Sequence, residues 1–421
     1  MSLVATKIVV RARWQIRLLA VAVILVALVF LLFAGEFIMR SARPDLVPSN
    51  QLRMIPDPLI GWRFEPNQRM EGKTEDGRLR RVRTNTEGFA DEDFTVEDSN
   101  QRIQIAFLGD SFTAATHVDY DDAFVSVAGR LLQEKEPPRR RVKTMNFGQT
   151  GFGTANEYLC WKHEVSKFEI HAVILAFFLG NDVANNLVDY PTESFRSPKF
   201  KVVDGKLMQL PFEPGPGAEA ERRRKRSWFY RAFLAPSVLY QQYKLFERDL
   251  RARFRPERAR RVDGKDVELP LWKRSYAPLD WQTYLRQPEP DFEAAWKVTE
   301  LLILTLRDEV WARGASFYVA LLPGTEVLEP EVFKASFSRY PGIEKFDFDL
   351  DGPRQRLLKF LADHQIPVID LTPPFREYQQ KNPAIPLYFK FDRHFSVEGH
   401  HLAGEITARE LATMIRMTND R

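Results

Sequence analysis

Short apolar runs recur along this chain with helical patterns between them, and that rhythm leaves few folds open. Ile103 to Leu108, Lys143 to Phe147, Val173 to Phe178, Ser316 to Leu322 and Pro367 to Leu371 have the length and composition of strands. Helices are predicted from about Asp121 to Glu134, Thr154 to Phe168, Phe292 to Arg313 and Pro353 to Gln365. A closing helix runs from Ser396, its N-cap, to about Arg416. Strand and helix in alternation imply right-handed βαβ units, hence an α/β fold: a three-layer open sheet of about five parallel strands covered on both faces.

What precedes the first strand has another character. Leu18 to Gly35 contains no charged residue, and apolar residues resume after Glu36 with Phe37, Ile38 and Met39. That is long enough to cross a bilayer. Lys7, Arg11, Arg13 and Arg17 stand before it with no acidic residue among them, so the positive-inside rule keeps residues 1–17 in the cytoplasm and exports everything after the span at 18–39. Leu32-Phe33-Ala34 is a poor site for signal-peptide cleavage, which favours an uncleaved single-pass anchor. Cys160 is the single cysteine, so no intramolecular disulfide can form, and its place in a predicted helix reads as packing. The formal charge of +4 sits in local blocks and is not spread as a nucleic-acid footprint.

Residues 40–102 are rich in turn residues, with brief strands at Gly61-Trp62-Arg63-Phe64 and Val82-Arg83-Thr84 and a turn at Glu75-Asp76-Gly77 between them. They read as a β-rich juxtamembrane segment. The α/β core then falls in two parts, 103–187 and 289–421, around an insertion at 188–288. The insertion carries the run Arg222-Arg223-Arg224-Lys225-Arg226 ahead of Trp228, Phe229 and Tyr230. Basic residues interleaved with aromatics suit an anionic headgroup surface, an anionic polymer or an envelope protein; a solvated helical face reads the same way.

In an open α/β sheet, ligands bind beyond the carboxyl ends of the strands. After the first strand comes Gly109-Asp110-Ser111-Phe112. After the second comes the Gly-rich turn Asn146 to Gly153, and after the third Gly180-Asn181-Asp182. Before the closing helix comes Asp392-Arg393-His394. These residue types fit acyl transfer through a serine. Ser111 needs a base, His394 is a suitable one near neutral pH, and Asp392 can orient the imidazole and stabilise its charged form. An oxyanion would need aimed donors, and the Ser111 N–H, a glycine N–H and the Asn181 amide can supply them. The α/β-hydrolase elbow Gly-x-Ser-x-Gly does not fit, because Thr113 stands where its second glycine belongs.

At these four blocks the chain resembles the SGNH (GDSL) hydrolase family, here as a membrane-anchored member. The resemblance covers Ile103 to Asn186 and Phe292 to Arg416. It implies the flavodoxin-like SGNH hydrolase fold, Ser111, Asp392 and His394 as catalytic residues, and Ser111, Gly151 and Asn181 as the oxyanion hole. The choice of Gly151 over Gly148 or Gly153 rests on the resemblance. Most members space the last pair Asp-x-x-His; the Asp-x-His found here resembles the branch that moves acetyl groups onto exopolysaccharides. The expectation is a serine esterase acting on an acyl, most simply acetyl, ester of an envelope carbohydrate or lipid. An O-acyltransferase for an envelope polysaccharide and an inactive scaffold are the alternatives.

No cofactor and no metal are expected, and no nucleic-acid partner. Asp347-Phe348-Asp349-Leu350-Asp351-Gly352 imitates the opening of a calcium loop, but Leu358 stands where a bidentate Glu is needed, and Asp351 reads as a helix cap. His400 and His401 read as packing or surface residues of the closing helix, and His117 as a residue that could line the pocket.

Overall fold

The computed structural model describes residues 3–42, 52–94, 102–135, 141–188, 195–217, 226–254, 259–262, 265–268, 278–340 and 342–419. Residues 222–225 of the basic run and all of 269–277 lie outside them. The first element is a long helix, α1 (Leu3–Ala42). Its part from Trp14 to Ala42 is long and apolar enough to cross a membrane; the most apolar 18-residue window within it has a mean hydropathy of 3.1 and is not buried against the described residues. Two antiparallel hairpins follow, β1 (Met54–Asp57) with β2 (Gly61–Phe64), and β3 (Arg69–Lys73) with β4 (Leu79–Arg83).

The α/β core begins with β5 (Arg102–Gly109), a single turn of helix α2 (Ser111–Ala114), α3 (Phe124–Lys135), β6 (Arg141–Asn146), α4 (Thr154–His163) and β7 (Ala172–Phe178). It is interrupted by the hairpin β8 (Phe200–Val203) and β9 (Lys206–Gln209), the helix α5 (Val238–Phe254), and a further hairpin, β10 (Ala259–Val262) with β11 (Lys265–Glu268). It resumes with α6 (Pro290–Ala312), β12 (Ser316–Leu322), the short helices α7 (Thr325–Leu328) and α8 (Pro330–Ala335), α9 (Gly352–Asp363), β13 (Val368–Asp370), α10 (Thr372–Lys381) and α11 (Val397–Asn419).

Five of these strands form one parallel sheet in the order β13-β12-β7-β5-β6. Numbered along the chain from the β6 edge, that is 2-1-3-4-5, the doubly wound order of flavodoxin-like folds, whose direction of winding reverses between β5 and β7. The alternation of side chains explains how the sheet is covered. Ala106 and Leu108, Val173, Leu175 and Phe177, and Phe317, Val319 and Leu321 face one core with α4, α6 and α9. Ile105 and Phe107, Ile174, and Tyr318 and Leu322 face the other with α3, α10 and α11. The three central strands β5, β7 and β12 are near-continuous apolar runs because both their faces are buried, whereas the edge strand β6 carries Arg141, Lys143, Thr144 and Asn146.

Several boundaries shift for local reasons. The helix expected to 168 ends at His163, and a separate turn at Val165–Lys167 leads into β7. Ser396 does cap α11, its Oγ accepting the Gly399 N–H at 3.1 Å. Asp351 precedes α9 without capping it by its side chain. Its carboxylate is taken up by Arg354 and Gln355, and Asp349 accepts the Gly352 N–H at 3.1 Å.

Candidate active site

The winding reversal opens a crevice at the carboxyl ends of β5 and β7, and the loops leaving these two strands carry Ser111 and Asn181. The turn after β5 is sharp. A Cβ on residue 109 would collide with Thr113 Oγ1, so only glycine lets the chain fold back into α2. Asp110 is fully buried, and its Oδ1 accepts the Phe112 N–H at 2.9 Å. This presents Ser111 at the first position of α2, where a backbone N–H has no partner within the helix.

Ser111 Oγ lies 2.7 Å from His394 Nε2, and His394 Nδ1 lies 2.7 Å from Asp392 Oδ1. Because Asp392 accepts at Nδ1, the imidazole proton sits there and Nε2 is left to accept from the serine hydroxyl. Burial alone would lower the pKa of His394; the hydrogen bond and charge of Asp392, with the more distant charge of Asp110, outweigh it and hold His394 above its ordinary value.

The short Asp-x-His spacing has a visible backbone cause. Arg393, between the two, has φ = 66°, a left-handed conformation that draws its neighbours closer than extended backbone would and that a residue with a Cβ seldom adopts. The loop is closed by the Phe389 N–H to the His394 carbonyl at 2.9 Å and the Arg393 N–H to the Phe389 carbonyl at 3.2 Å. Glu75, on the β3–β4 turn, accepts the N–H groups of Phe391 and Asp392 at 3.0 and 2.9 Å. From sequence Glu75 is one residue of a turn. Its contact spans 317 positions, and nothing near it signals a link to the base loop.

Asn181 stands across the crevice, its Nδ2 donating to Asp110 Oδ2 at 3.1 Å. The second hydrogen of that amide remains available to a ligand. Gly151, with φ = 81°, has the Trp62 ring 3.6 Å from where a Cβ would be, and it is not among the residues lining the cavity over Ser111. Of the glycines in that loop, Gly148 is the one packed on α2, against Thr113 and Ala114.

The cavity is about 250 Å³. Phe112, Phe178, Trp281 and Tyr284 form apolar walls, while Asn181, Glu326 and Arg393 bring polar groups to it. Behind His394, 4.5 Å from ring to ring, lies His117, whose Nε2 is 3.0 Å from His400 Nε2. The Phe124 N–H donates to His400 Nδ1, so His400 carries its proton on Nε2 and gives it to His117. Burial pushes His400 down to about 3 and His117 well below its usual value, so both rings stay neutral. His117, Asp392 and His394 are the one group of potential metal ligands within 4.8 Å of one another among the described residues. Within it, both His394 nitrogens, Asp392 Oδ1 and His117 Nε2 take part in the hydrogen bonds just given.

Below the nucleophile turn lies a second set of carboxyls. Glu157 on α4 and Asp182 are fully buried beside Asp110. Among the described residues, both Glu157 oxygens and Asp182 Oδ1 have no hydrogen-bond partner. Burial pushes Asp110 up to about 6, and burial together with the neighbouring carboxylates pushes Glu157 and Asp182 well above the usual range.

No protein-family model matches the chain, and no curated protein matches it. Among solved structures it is similar to a member of the lipolytic protein G-D-S-L family from Veillonella parvula, with 11% identity over 74% of this chain and 98% of that one and a TM-score of 0.35. It is also similar to an acetylxylan esterase from Geobacillus stearothermophilus, at 12% identity over 75% and 96% of the two chains and a TM-score of 0.36. Values this low say nothing of chemistry, which has to come from the side chains.

Proposed function

We propose that this chain is a membrane-anchored serine esterase of the SGNH kind, acting on an acyl ester of an envelope carbohydrate or lipid. The observation that carries the reading is the unbroken hydrogen-bonded series Ser111 Oγ, His394, Asp392 at the mouth of a cavity that has an amide donor on its far wall. His394 removes the serine proton as Oγ attacks the ester carbonyl. The Ser111 N–H and the Asn181 amide receive the charge on the carbonyl oxygen, with a backbone N–H of the Gly148–Gly153 loop as third donor; Gly151 is the glycine the family resemblance selects for that place. The imidazolium, stabilised by Asp392, then protonates the departing alcohol. Water activated by His394 releases the acyl group and restores Ser111.

A cavity of about 250 Å³ is small for a long acyl chain and fits an acetyl group. A sugar hydroxyl could resolve the acyl-enzyme instead of water, and the Asp392-x-His394 spacing favours keeping that transferase reading. Helix α1 spans the membrane with its N-terminus in the cytoplasm, which puts the α/β domain on the exported side. The test is an assay of the full chain in detergent with an acetylated ester, with and without oligosaccharide acceptors, scoring free acetate and acetylated sugar. Acetate in the absence of acceptor supports the esterase, and acetylated sugar at the expense of acetate the transferase. Neither product, together with no labelling of Ser111 by a fluorophosphonate, overturns both.

A further inference from the structure

Among the described residues, the insertion is hydrogen-bonded to α1 around Glu36 and Arg40. Glu36, near the end of α1, accepts the N–H groups of Val238 and Leu239 at 3.0 Å each and the Ser237 hydroxyl at 2.7 Å. Arg40, one turn on, donates to Glu36 at 2.7 Å and to the Pro236 carbonyl at 2.8 Å. Glu36 therefore caps α5 across two hundred residues of sequence, supplying an acceptor to N–H groups that a helix start leaves open. A carboxylate is costly within hydrocarbon. Counting about 20 residues for a crossing of about 30 Å, a span that begins at Leu18 reaches its far interface at Phe37, so the cap sits where the helix leaves the bilayer.

Past this junction α5 carries large side chains that are exposed to solvent, Tyr243 touching only the Tyr240 ring among the described aromatic contacts. Tyr243, Phe246 and Leu250 are spaced three and four apart, on one face of α5, and all are exposed; Phe246 is 62% exposed. Just before α5, Trp228, Phe229 and Phe233 cluster ring against ring with Trp228 69% exposed. Sequence places Arg222 to Arg226 directly ahead of them. Aromatics and leucine on one side with basic residues beside them are what a helix lying in an interface presents.

From these observations we infer that the segment 227–254 lies in the headgroup layer of the bilayer crossed by α1, and holds the catalytic domain down on the membrane surface. The occupant of the exposed apolar face is the lipid itself, because the Glu36 cap ties the start of α5 to the end of the apolar span and basic residues stand directly ahead of the exposed aromatics. The inference rests on the reading of α1 as a membrane span. It also concerns the site: α5 packs on the Ser336–Arg339 turn, and the Phe337 ring there lies 6.0 Å from Trp281, a wall of the Ser111 cavity.

The test places single cysteines, labelled with an environment-sensitive fluorophore, in the full chain carrying Cys160→Ser, reconstituted in vesicles containing phosphatidylglycerol. Phe30→Cys reports on the span, Trp228→Cys and Phe246→Cys on the insertion, and Met208→Cys on a hairpin expected in water. The expected result is quenching of position 30 by deep spin-labelled lipid. Positions 228 and 246 should show blue-shifted emission, quenching by shallow spin-labelled lipid and loss of quenching by iodide, and position 208 should be quenched by iodide alone. Adding Glu36→Ala should leave position 30 unchanged and restore iodide quenching at 246. If 228 and 246 behave like 208 while 30 is quenched by lipid, the inference fails and the span stands; protection of 246 by a soluble polyanion without lipid contact would have the same meaning. If 30 is not quenched by lipid, the span itself is refuted, and the inference with it.

Discussion

On one side of Ser111 a carboxylate stands at the cavity edge: Asp392, about a quarter exposed, with its charge spent on His394. On the other side, under the nucleophile turn, Asp110, Glu157 and Asp182 have lost all contact with solvent and are driven toward their neutral forms. The same chemical group thus serves two ends, set by desolvation and by what donates to it. Asp392 meets a ring that gains a charge during the reaction. The three buried carboxyls meet backbone N–H groups, an amide and one another. The difference teaches that proximity to the nucleophile is a poor guide to which acid takes part in proton transfer.

The largest effect comes from the nucleophile both sides serve. Ser111→Ala should lower turnover by about 10,000-fold or more and abolish fluorophosphonate labelling, with an unchanged circular dichroism spectrum. Undiminished labelling would move the nucleophile elsewhere. Next is the exposed side. Asp392→Asn should cost about 1,000- to 10,000-fold in turnover, because the amide cannot stabilise the imidazolium and favours the wrong tautomer. In the wild type kcat/KM should rise with pH through a group above the histidine reference of about 6.5, since the folded protein holds His394 high. In Asp392→Asn the residual limb should move to lower pH. A limb that stays in place would mean that His394 is not the group titrating.

Much of this arrangement could be read in advance and some could not. Burial on both faces turns β5, β7 and β12 into near-continuous apolar runs, which is why the parallel sheet was visible in sequence. Ser111, Asn181, Asp392 and His394 drew notice because each follows a strand or precedes the last helix, and the fold does bring these four side chains to one cavity. What stayed hidden depends on contacts without local pattern. Glu75 reaches the base loop from a turn far away, His117 and His400 pair through the core, and the left-handed turn at Arg393 sits in a loop bonded by Glu75, Phe389 and Glu329. Glu157 sits among apolar residues on α4, where its charge would have suggested an outward face.

The buried side should matter less to turnover, and in graded fashion. Asn181→Ala removes an oxyanion donor and should cost about 100- to 1,000-fold in kcat. A loss confined to KM would show that Asn181 does not act in the transition state. Asp110→Asn keeps an oxygen for the Phe112 N–H but can set an NH₂ against the Asn181 amide, donor to donor. The amide then turns away, and a loss of about tenfold is expected. Because Asp110 acts through Asn181, that loss should vanish when Asn181→Ala is already present. Additive losses in the double variant would show that Asp110 acts by some other route.

Glu157→Gln should change turnover least, and it separates the two sides most clearly. Glu157 touches no reacting group, and burial and the charge of Asp110 keep its carboxyl protonated well above the usual range. The sign for stability follows from that shift. In the unfolded chain Glu157 ionises near the reference of about 4.3, so its native environment costs nothing below that pH and an increasing amount as pH rises toward the elevated native value. Glutamine has the same shape and no charge to lose. The variant should therefore gain in stability relative to the wild type as pH rises from about 4 to about 8. Thermal unfolding of the full chain in detergent at several pH values measures this. Asp110 and Asp182 titrate in the same sense, so the variant should still lose some stability with rising pH, on a shallower slope. If Glu157→Gln and wild type instead unfold together at every pH, or if turnover falls as far as in Asn181→Ala, the buried carboxyl is not the passive neutral group described and the contrast with Asp392 breaks.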